Sequence, residues 1–168
     1  LETFYQNVGS SRRYGLETFL SWTPHRSLGI KLAYTYSDFK YISYKIPGGT
    51  IQGTRLPNSP VHQLYGDVEA HLLKNLVAGA SVYYQSRSYV DYTNLTWIDG
   101  YALFNVRLAY RFEAFHNRLE LLLSGLNIFG TEYIAFTEPD PDGNSYQPGP
   151  TAQFTAGLRV YLGGGPSD

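Results

Sequence analysis

Residues 27–39 read SLGIKLAYTYSDF, and apolar or aromatic residues occupy every second position. Leu28, Ile30, Leu32 and Tyr34 therefore share one face of an extended chain, while small and polar residues share the other face. A period of two predicts a β-strand with one apolar face. The fold then depends on what this apolar face contacts.

The same alternation recurs along the chain, and it predicts seven strands without a competing helix. The predicted strands are residues 3–22, 27–39, 61–73, 76–90, 98–112, 118–129 and 151–162. The phase opposite the apolar one holds Arg13, Glu17, Lys31, Asp67, Glu69, Arg87, Arg107, Arg111, Arg118, Glu120 and Arg159. An amphipathic antiparallel sheet suits either a soluble β-sandwich or a membrane barrel, so the connections must distinguish them.

The predicted connections alternate strictly between short and long. The short turns are residues 23–26, 73–75 and 113–117. The long loops are residues 40–60, 91–97 and 130–150. In an up-and-down meander every second connection lies at the same end of the sheet, so the long loops would lie together. This asymmetry is typical of outer-membrane barrels, and several predicted strands reach the roughly 9–11 residues that cross a bilayer.

Large side chains mark both ends of the apolar phase. They are Trp22, Phe112 and Leu162 at the short-turn end and Tyr34, Tyr36 and Tyr84 at the long-loop end. Aromatic belts of this kind lie at the two membrane interfaces. We therefore predict that the apolar face contacts lipid in an all-β, antiparallel up-and-down transmembrane β-barrel, with short periplasmic turns and long extracellular loops.

Composition excludes several classes of function. Charged residues are 16% of the chain and the net charge is -1 without a basic run, so we expect no nucleic-acid partner. The chain has no Cys, which removes thiol catalysis and thiolate metal sites. We expect His62 and His71 to lie on the lumen side of one strand about 30 Å apart, too far to share a metal. No catalytic residue, metal site or cofactor is predicted, and the chain is not expected to be an enzyme.

Two further features are open to interpretation. Asp140, Asp142 and Asn144 faintly resemble a calcium loop, but a Pro and Gly turn explains this segment better. Four apolar residues interrupt the polar phase, namely Phe19, Val77, Leu103 and Leu122. Local packing among lumen side chains is the simpler explanation for them, and contact with a plug inside the barrel is the alternative.

Four segments carry recognisable motifs, which read YQNVGSSRRYGLETFLSW, GTRLPNSPVHQ, LNIFGTEY and PGPTAQFTAGLRVYL in chain order. The first contains Asn7, Gly9, Arg12, Arg13, Gly15, Leu16 and Glu17. The second contains Arg55, Leu56, Pro57, Asn58, Ser59 and Pro60, and the third contains Asn127, Ile128, Phe129, Glu132 and Tyr133. In this order the motifs resemble the far C-terminal region of TonB-dependent outer-membrane receptors, including the family patterns RLPxSP and NLFDxxY.

The resemblance implies a receptor in the bacterial outer membrane that imports a scarce nutrient, typically a ferric siderophore, cobalamin or a related chelate. Such receptors close about 22 strands around an N-terminal plug. The implied partners are outer-membrane lipid, the remaining barrel strands, the plug domain, TonB acting through that plug, and a small-molecule or metal-chelate ligand. We expect residues 1–162 to be the C-terminal part of such a barrel and residues 163–168 to be a flexible Gly-rich tail.

The number of strands leaves two alternatives open. Seven strands cannot close a bacterial single-chain barrel, and an open edge in lipid leaves backbone groups unsatisfied. A break at residues 8–11 would create an eighth strand from residues 1–7, and the chain would then be a complete small outer-membrane barrel with a structural or adhesion role. A soluble β-sandwich binding module is the second alternative.

A ligand arriving from outside would meet lumen-phase side chains near the long loops. The candidates are Tyr83, Gln85, Arg87 and Tyr89 on the fourth predicted strand and Asp99 and Tyr101 on the fifth. Aromatic rings and Arg suit an anionic or catecholate-like ligand through stacking and charge. Ordinary lumen lining with hydrogen-bonded water is the alternative interpretation of these residues.

Overall fold

The structure is a computed structural model, and it describes residues 9–46, 48–138 and 143–162. The strands are β1 Gly9–His25, β2 Leu28–Ile46, β3 Gly49–Ile51, β4 His62–Leu73, β5 Leu76–Gln85, β6 Ser88–Tyr89, β7 Trp97–Ile98, β8 Tyr101–Ala114, β9 Asn117–Leu126, β10 Ile134–Glu138, β11 Ser145–Pro148 and β12 Gln153–Tyr161. No helix long and apolar enough to cross a membrane occurs in these residues.

Seven long strands form one antiparallel meander in the order β1-β2-β4-β5-β8-β9-β12. The short strand β3 pairs with the end of β2, and β6-β7 and β10-β11 form two separate hairpins within the long connections. The short turns are residues 26–27, 74–75 and 115–116, and the long connections lie at the opposite end of the sheet. The predicted all-β meander and its alternation of connections are therefore confirmed.

The strand register places the apolar residues in continuous rows across the sheet. One row runs through Leu20, Leu32, Gly66, Val82 and Phe104, each paired directly with the next. The large side chains of this row are uncovered, with Leu20 52%, Leu32 41% and Phe104 41% exposed. A β-sandwich would bury this face under a second sheet, and in the described part of the chain no sheet covers it, so the sandwich alternative is wrong.

Charged residues on the other face neutralise one another across strands. Arg107 on β8 donates to both carboxylate oxygens of Asp67 on β4, at 2.6 and 3.1 Å, and to Glu69 at 3.0 Å. To reach them, its guanidinium crosses β5 over Gly79, where an added Cβ would lie 2.4 Å from the Arg107 Cζ atom. A larger residue at this position would therefore have to displace the Arg107 guanidinium.

A second ionic group spans β8, β9 and β12 on the same face. The carboxylate of Glu120 on β9 accepts from Arg111 on β8 at 2.8 Å and from Arg159 on β12 at 2.7 Å. Glu120 is only 2% exposed, and both guanidinium groups lie beside it in direct register. Buried carboxylates are tolerated when they are paired and hydrogen-bonded in this way.

Three of the four apolar exceptions on the polar face have apolar or aromatic neighbours across the strands. Val77, Ala109 and Leu122 are cross-strand neighbours on β5, β8 and β9. Leu103 is paired with Tyr83, and Phe19, with 70% exposure, is paired with Ala33. The placement of Val77, Leu103 and Leu122 agrees with the local packing that we predicted for them.

Several predicted strand ends differ from the structure, and each difference has a local cause. β2 continues to Ile46 because both of its sides stay paired, with β1 and with β3. β9 ends at Leu126 because Asn127 adopts a left-handed φ of 48°. The predicted strand 76–90 ends at Gln85, and Ser88 and Tyr89 instead form the β6-β7 hairpin.

The two outer strands of the sheet, β1 and β12, are not paired with each other. Within the described residues the sheet is thus open, so the structure gives no support to the complete small barrel. The alternative with a break at residues 8–11 is wrong from Gly9 onward, because Gly9, Ser10 and Ser11 belong to β1 and pair with β2. The proposed eighth strand, residues 1–7, the tail at 163–168, and Asp140 and Asp142 of the possible calcium loop lie outside the described residues.

The prediction for His62 is wrong. An odd separation of nine residues puts His62 and His71 on opposite faces of one strand, and His62 lies on the apolar face. There it pairs with Tyr36, and its Nδ1 atom is 2.9 Å from the hydroxyl of Tyr34. His62 is therefore part of the aromatic belt at the long-loop end.

Candidate ligand-facing surface

The polar face carries a connected group of side chains where β4, β5 and β8 meet the long loops. Gln63 donates to the Tyr83 hydroxyl at 2.9 Å, and this hydroxyl donates to Gln85 at 3.1 Å. The ring of Tyr101 lies 6.2 Å from that of Tyr83 and 4.5 Å from that of Tyr133. We call these five residues, Gln63, Tyr83, Gln85, Tyr101 and Tyr133, the polar-aromatic cluster.

The long loop after β9 places Tyr133 in this cluster. Gly149 donates its backbone N–H to the Tyr133 carbonyl at 2.9 Å, and an added Cβ at Gly149 would lie 2.0 Å from the Tyr133 ring. Asn127 fixes the start of the loop, because its side chain accepts from and donates to the backbone of Thr131 and also donates to the Pro150 carbonyl. Asn127 and Tyr133 belong to the NIFGTEY segment, so this motif builds part of the surface.

The six predicted site residues divide into two groups. Tyr83, Gln85 and Tyr101 lie together in the cluster. Arg87, Tyr89 and Asp99 belong to the connection that carries the β6-β7 hairpin. The placement of Arg87 and Tyr89 on a long fourth strand is therefore wrong, and so is that of Asp99 on the fifth, because β5 ends at Gln85 and β8 begins at Tyr101. Gly100 nevertheless packs against the backbone at Gln85 and Arg87 and keeps the hairpin beside the cluster.

The hairpin residues offer charge and aromatic surface. Arg87 is exposed, and its guanidinium lies 5.5 Å from the centre of the Trp97 ring. Tyr89 pairs with Trp97 across the hairpin and accepts a hydrogen bond on its carbonyl from the N–H of Asn58. Asp99 is exposed. This connection thus presents a cation, an anion and an indole ring next to the cluster.

Side-chain amides join the long loops to one another. The Asn94 side chain accepts from the Arg55 N–H at 2.6 Å and donates to the Arg55 carbonyl at 2.9 Å, as a neighbouring strand would. Asn58 donates to the Thr137 carbonyl at 2.6 Å and also accepts from the Thr137 hydroxyl. Both asparagines have positive φ angles, of 62° and 53°. The three loops therefore form one continuous surface.

Asp91 organises the tip of the β6-β7 hairpin. Its carboxylate accepts from the Thr93 N–H at 2.8 Å, from the Leu95 N–H at 3.3 Å and from the Thr96 N–H at 2.7 Å. Partial burial opposes ionisation, but these hydrogen bonds together outweigh it and lower the pKa of the Asp91 carboxyl. Asp91 is therefore engaged in holding its own loop.

A second group of aromatic rings, which was not predicted from the sequence, lies at the same end. Tyr41 and Tyr44 on β2 have ring centres 4.8 Å apart, and Tyr92 from the hairpin lies 5.1 Å from Tyr44. On the neighbouring strand, the guanidinium of Arg13 lies 5.9 Å from the Phe39 ring. The group was missed because a bulge near Tyr41 breaks the alternation on which the prediction depended.

In the part of the chain that the structure describes, no group of three or more His, Cys, Asp or Glu side chains could hold a metal ion. The clustered titratable groups are instead ion pairs between carboxylates and guanidinium groups, as at Glu120 and Asp67. The arrangement can stack, hydrogen-bond and attract charge, which suits recognition of a polar, aromatic or anionic molecule.

The family model described as TonB dependent receptor-like, beta-barrel matches residues 2–128. The chain belongs to this family. The ordered motifs and the meander are therefore those of a receptor barrel, and the predicted family is confirmed. A comparison with curated proteins gives no match.

Solved structures of three receptors share the fold. The siderophore receptor PiuA from Acinetobacter baumannii has a TM-score of 0.77 at 21% identity, over 92% of this chain and 22% of PiuA. The ferric citrate transporter FecA has a TM-score of 0.74 at 24% identity, over 91% of this chain and 25% of FecA. The ferric yersiniabactin uptake receptor FyuA from Yersinia pestis has a TM-score of 0.76 at 15% identity, over 93% of this chain and 24% of FyuA. The chain thus spans about a quarter or less of these receptors.

Proposed function

We propose that the chain forms the C-terminal wall of a bacterial outer-membrane receptor that imports a scarce nutrient, such as a ferric siderophore or cobalamin. The proposal rests on one observation. This chain, which belongs to the receptor family, forms a meander with one continuous apolar face and three long loops at one end. The apolar face contacts lipid, and further strands pair with β1 and β12. The plug domain, and TonB acting through it, supply the energised step, and the chain itself catalyses no reaction.

Within this receptor, an incoming chelate contacts the lumen side near the long loops. The proposed contacts are Tyr83, Gln85, Arg87, Tyr89, Asp99 and Tyr101, with Gln63 and Tyr133 completing the surface. Stacking on Tyr101 and charge from Arg87 support an anionic or catecholate-like ligand. Among the receptors with the same fold, FecA is a ferric citrate transporter, FyuA takes up ferric yersiniabactin and PiuA is a siderophore receptor, which agrees with this substrate class.

Ligand titration of the reconstituted receptor tests the proposal, with Trp97 as an internal probe. Suitable probes are the ferric complexes of a catecholate, a hydroxamate and citrate, together with cobalamin. A chelate bound beside Arg87 should quench the emission of Trp97, and the same titration of Trp97→Phe identifies that signal. Tyr101→Ala should weaken binding of the responding chelate about tenfold, since an aromatic stacking contact of roughly 1 kcal/mol and part of the cluster are removed together.

A matched variant on the lipid side controls for effects on folding. Tyr110→Ala removes an exposed Tyr from the same strand on the apolar face, and it should leave the affinity unchanged. Binding of none of the four probes, or equal affinities for Tyr101→Ala and the unaltered receptor, would contradict the proposed site.

A further inference from the structure

Three basic residues form a row on the outward face of the sheet. Arg12 on β1 is paired with Lys40 on β2, and Lys40 forms a bridge with Arg55 of the following loop. The row therefore crosses three neighbouring segments at one level. Like charges placed directly opposite one another in a sheet repel, so this arrangement is unfavourable unless an anion lies close by.

Among the described residues, Asp38 is the only carboxylate that forms ion pairs with these three basic residues. Its oxygens lie 3.0 Å from the Lys40 Nζ atom, 3.3 Å from Arg55 and 3.9 Å from Arg12. Three cations around one carboxylate leave two positive charges. The side chains of Arg12, Lys40 and Arg55 remain 48%, 31% and 28% exposed, so they can contact a further anion.

The row lies directly beyond the aromatic belt of the apolar face. Asp38 is paired with Tyr14, and the next pair on this face toward the short turns is Leu16 with Tyr36. The Arg12 guanidinium also lies 5.2 Å from the centre of the Tyr14 ring. Tyr rings occupy the level of the lipid headgroups, so the cations lie where the phosphates of the outer leaflet lie.

We propose that Arg12, Lys40 and Arg55 form a binding site for the phosphate groups of an anionic lipid in the outer leaflet. Asp38 holds the three cations at one level, and their excess charge is neutralised by the lipid. Continuity with the lipid-facing apolar surface favours a membrane lipid over a free anion. The site depends on the lipid-facing orientation of the sheet and is independent of which nutrient the receptor imports.

Lipid-selectivity measurements on the receptor reconstituted in phosphatidylcholine vesicles test this site. Electron paramagnetic resonance with spin-labelled lipid A, a bis-phosphorylated lipid, gives its association constant relative to spin-labelled phosphatidylcholine. Arg12→Gln should lower this relative constant about fivefold, the effect of one basic residue near an anionic membrane surface. Arg12→Lys, which keeps the charge, should retain most of the selectivity.

Substitution of Asp38 separates lipid binding from a purely structural role. Asp38→Asn leaves three cations without their carboxylate and should raise the relative association constant of lipid A, whereas loss of a structural ion-pair group would lower it or leave it unchanged. The double variant Arg26→Gln, Lys74→Gln removes two cations from the short turns and is the matched control. An unchanged constant in Arg12→Gln, an equal loss in this control, or competition by millimolar inorganic phosphate would overturn the proposal.

Discussion

At the scale of single residues, two glycines on the polar face differ in what surrounds them. A Cβ at Gly79 would collide with the Arg107 guanidinium, whereas a Cβ at Gly157 would meet only the Leu122 Cβ atom at 3.9 Å, an ordinary contact. Both glycines lie inside strands of the same sheet. The pair therefore separates the effect of the Arg107 ion pairs from the general effect of replacing glycine in a strand.

We predict that Gly79→Ala lowers the free energy of unfolding by about 1 kcal/mol, because it displaces the partly exposed Arg107 side chain from its ion pairs with Asp67 and Glu69. Gly157→Ala should have no cost or a small gain, since alanine restricts the unfolded chain. Urea unfolding of the membrane-inserted protein measures both. In an Arg107→Ala background Gly79→Ala should become neutral, and a persistent cost there would contradict the explanation.

The Asp91 carboxylate makes the order of the hairpin tip dependent on pH. Because the folded pKa lies below the unfolded value of about 3.9, ionised Asp91 stabilises the tip above that pH. This stability is lost as the pH falls through the lowered folded pKa. Hydrogen exchange of the Thr96 amide, corrected for its intrinsic rate, should show protection that decreases below about pH 4. Asp91→Asn should remove this pH dependence, and an unchanged profile in that variant would contradict the assignment.

At the scale of strands, alternation in the sequence predicted which residues share a face but not where the strands end. The faces follow from the fixed period of two, so Leu32 and Phe104 could be assigned to the lipid side directly from the sequence. The ends depend on local backbone geometry, such as the left-handed φ of Asn127 and the bulge at Ile42 of β2, opposite Ser10 and Ser11. Neither feature has a period, so neither could be predicted in this way.

The same distinction applies to the candidate site. Tyr83, Gln85 and Tyr101 were placed correctly beside one another because they lie within strands. Tyr133 comes from a loop that folds back over the sheet, and its position depends on Asn127 and Gly149. No periodic signal connects these three positions, although the NIFGTEY motif contains both Asn127 and Tyr133.

The turn between β8 and β9 strains two residues that have side chains. Phe115 and His116 have φ angles of 52° and 60°, the geometry of a two-residue hairpin turn that favours glycine. We predict that His116→Gly raises the free energy of unfolding by about 0.5 kcal/mol, because the left-handed penalty exceeds the added entropy of the unfolded chain. His116→Ala keeps the strain and is the control. Equal unfolding midpoints in urea for the two variants would show that the strain contributes nothing.

At the scale of the whole molecule, the distribution of charge and apolarity describes a wall between two environments. Carboxylates and guanidinium groups on one face are paired across strands, as at Asp67 and Glu120. The other face exposes rows of apolar side chains that end in Tyr rings and then in the basic row at Arg12, Lys40 and Arg55. An open sheet with these two faces is complete only when further strands pair with β1 and β12.

The central claim is that the apolar face of this sheet contacts lipid, and nitroxide scanning of β8 tests it most directly. The chain has no native cysteine, so single cysteines at residues 104–109 each add one labelling site to it, and any cysteine elsewhere in the reconstituted receptor is replaced by serine. Labels at 104, 106 and 108 should be accessible to oxygen, which partitions into lipid. Labels at 105, 107 and 109 should be accessible to a water-soluble nickel chelate or to neither reagent. The same preference at all six positions, or oxygen access at the odd ones, would contradict the lipid-facing assignment.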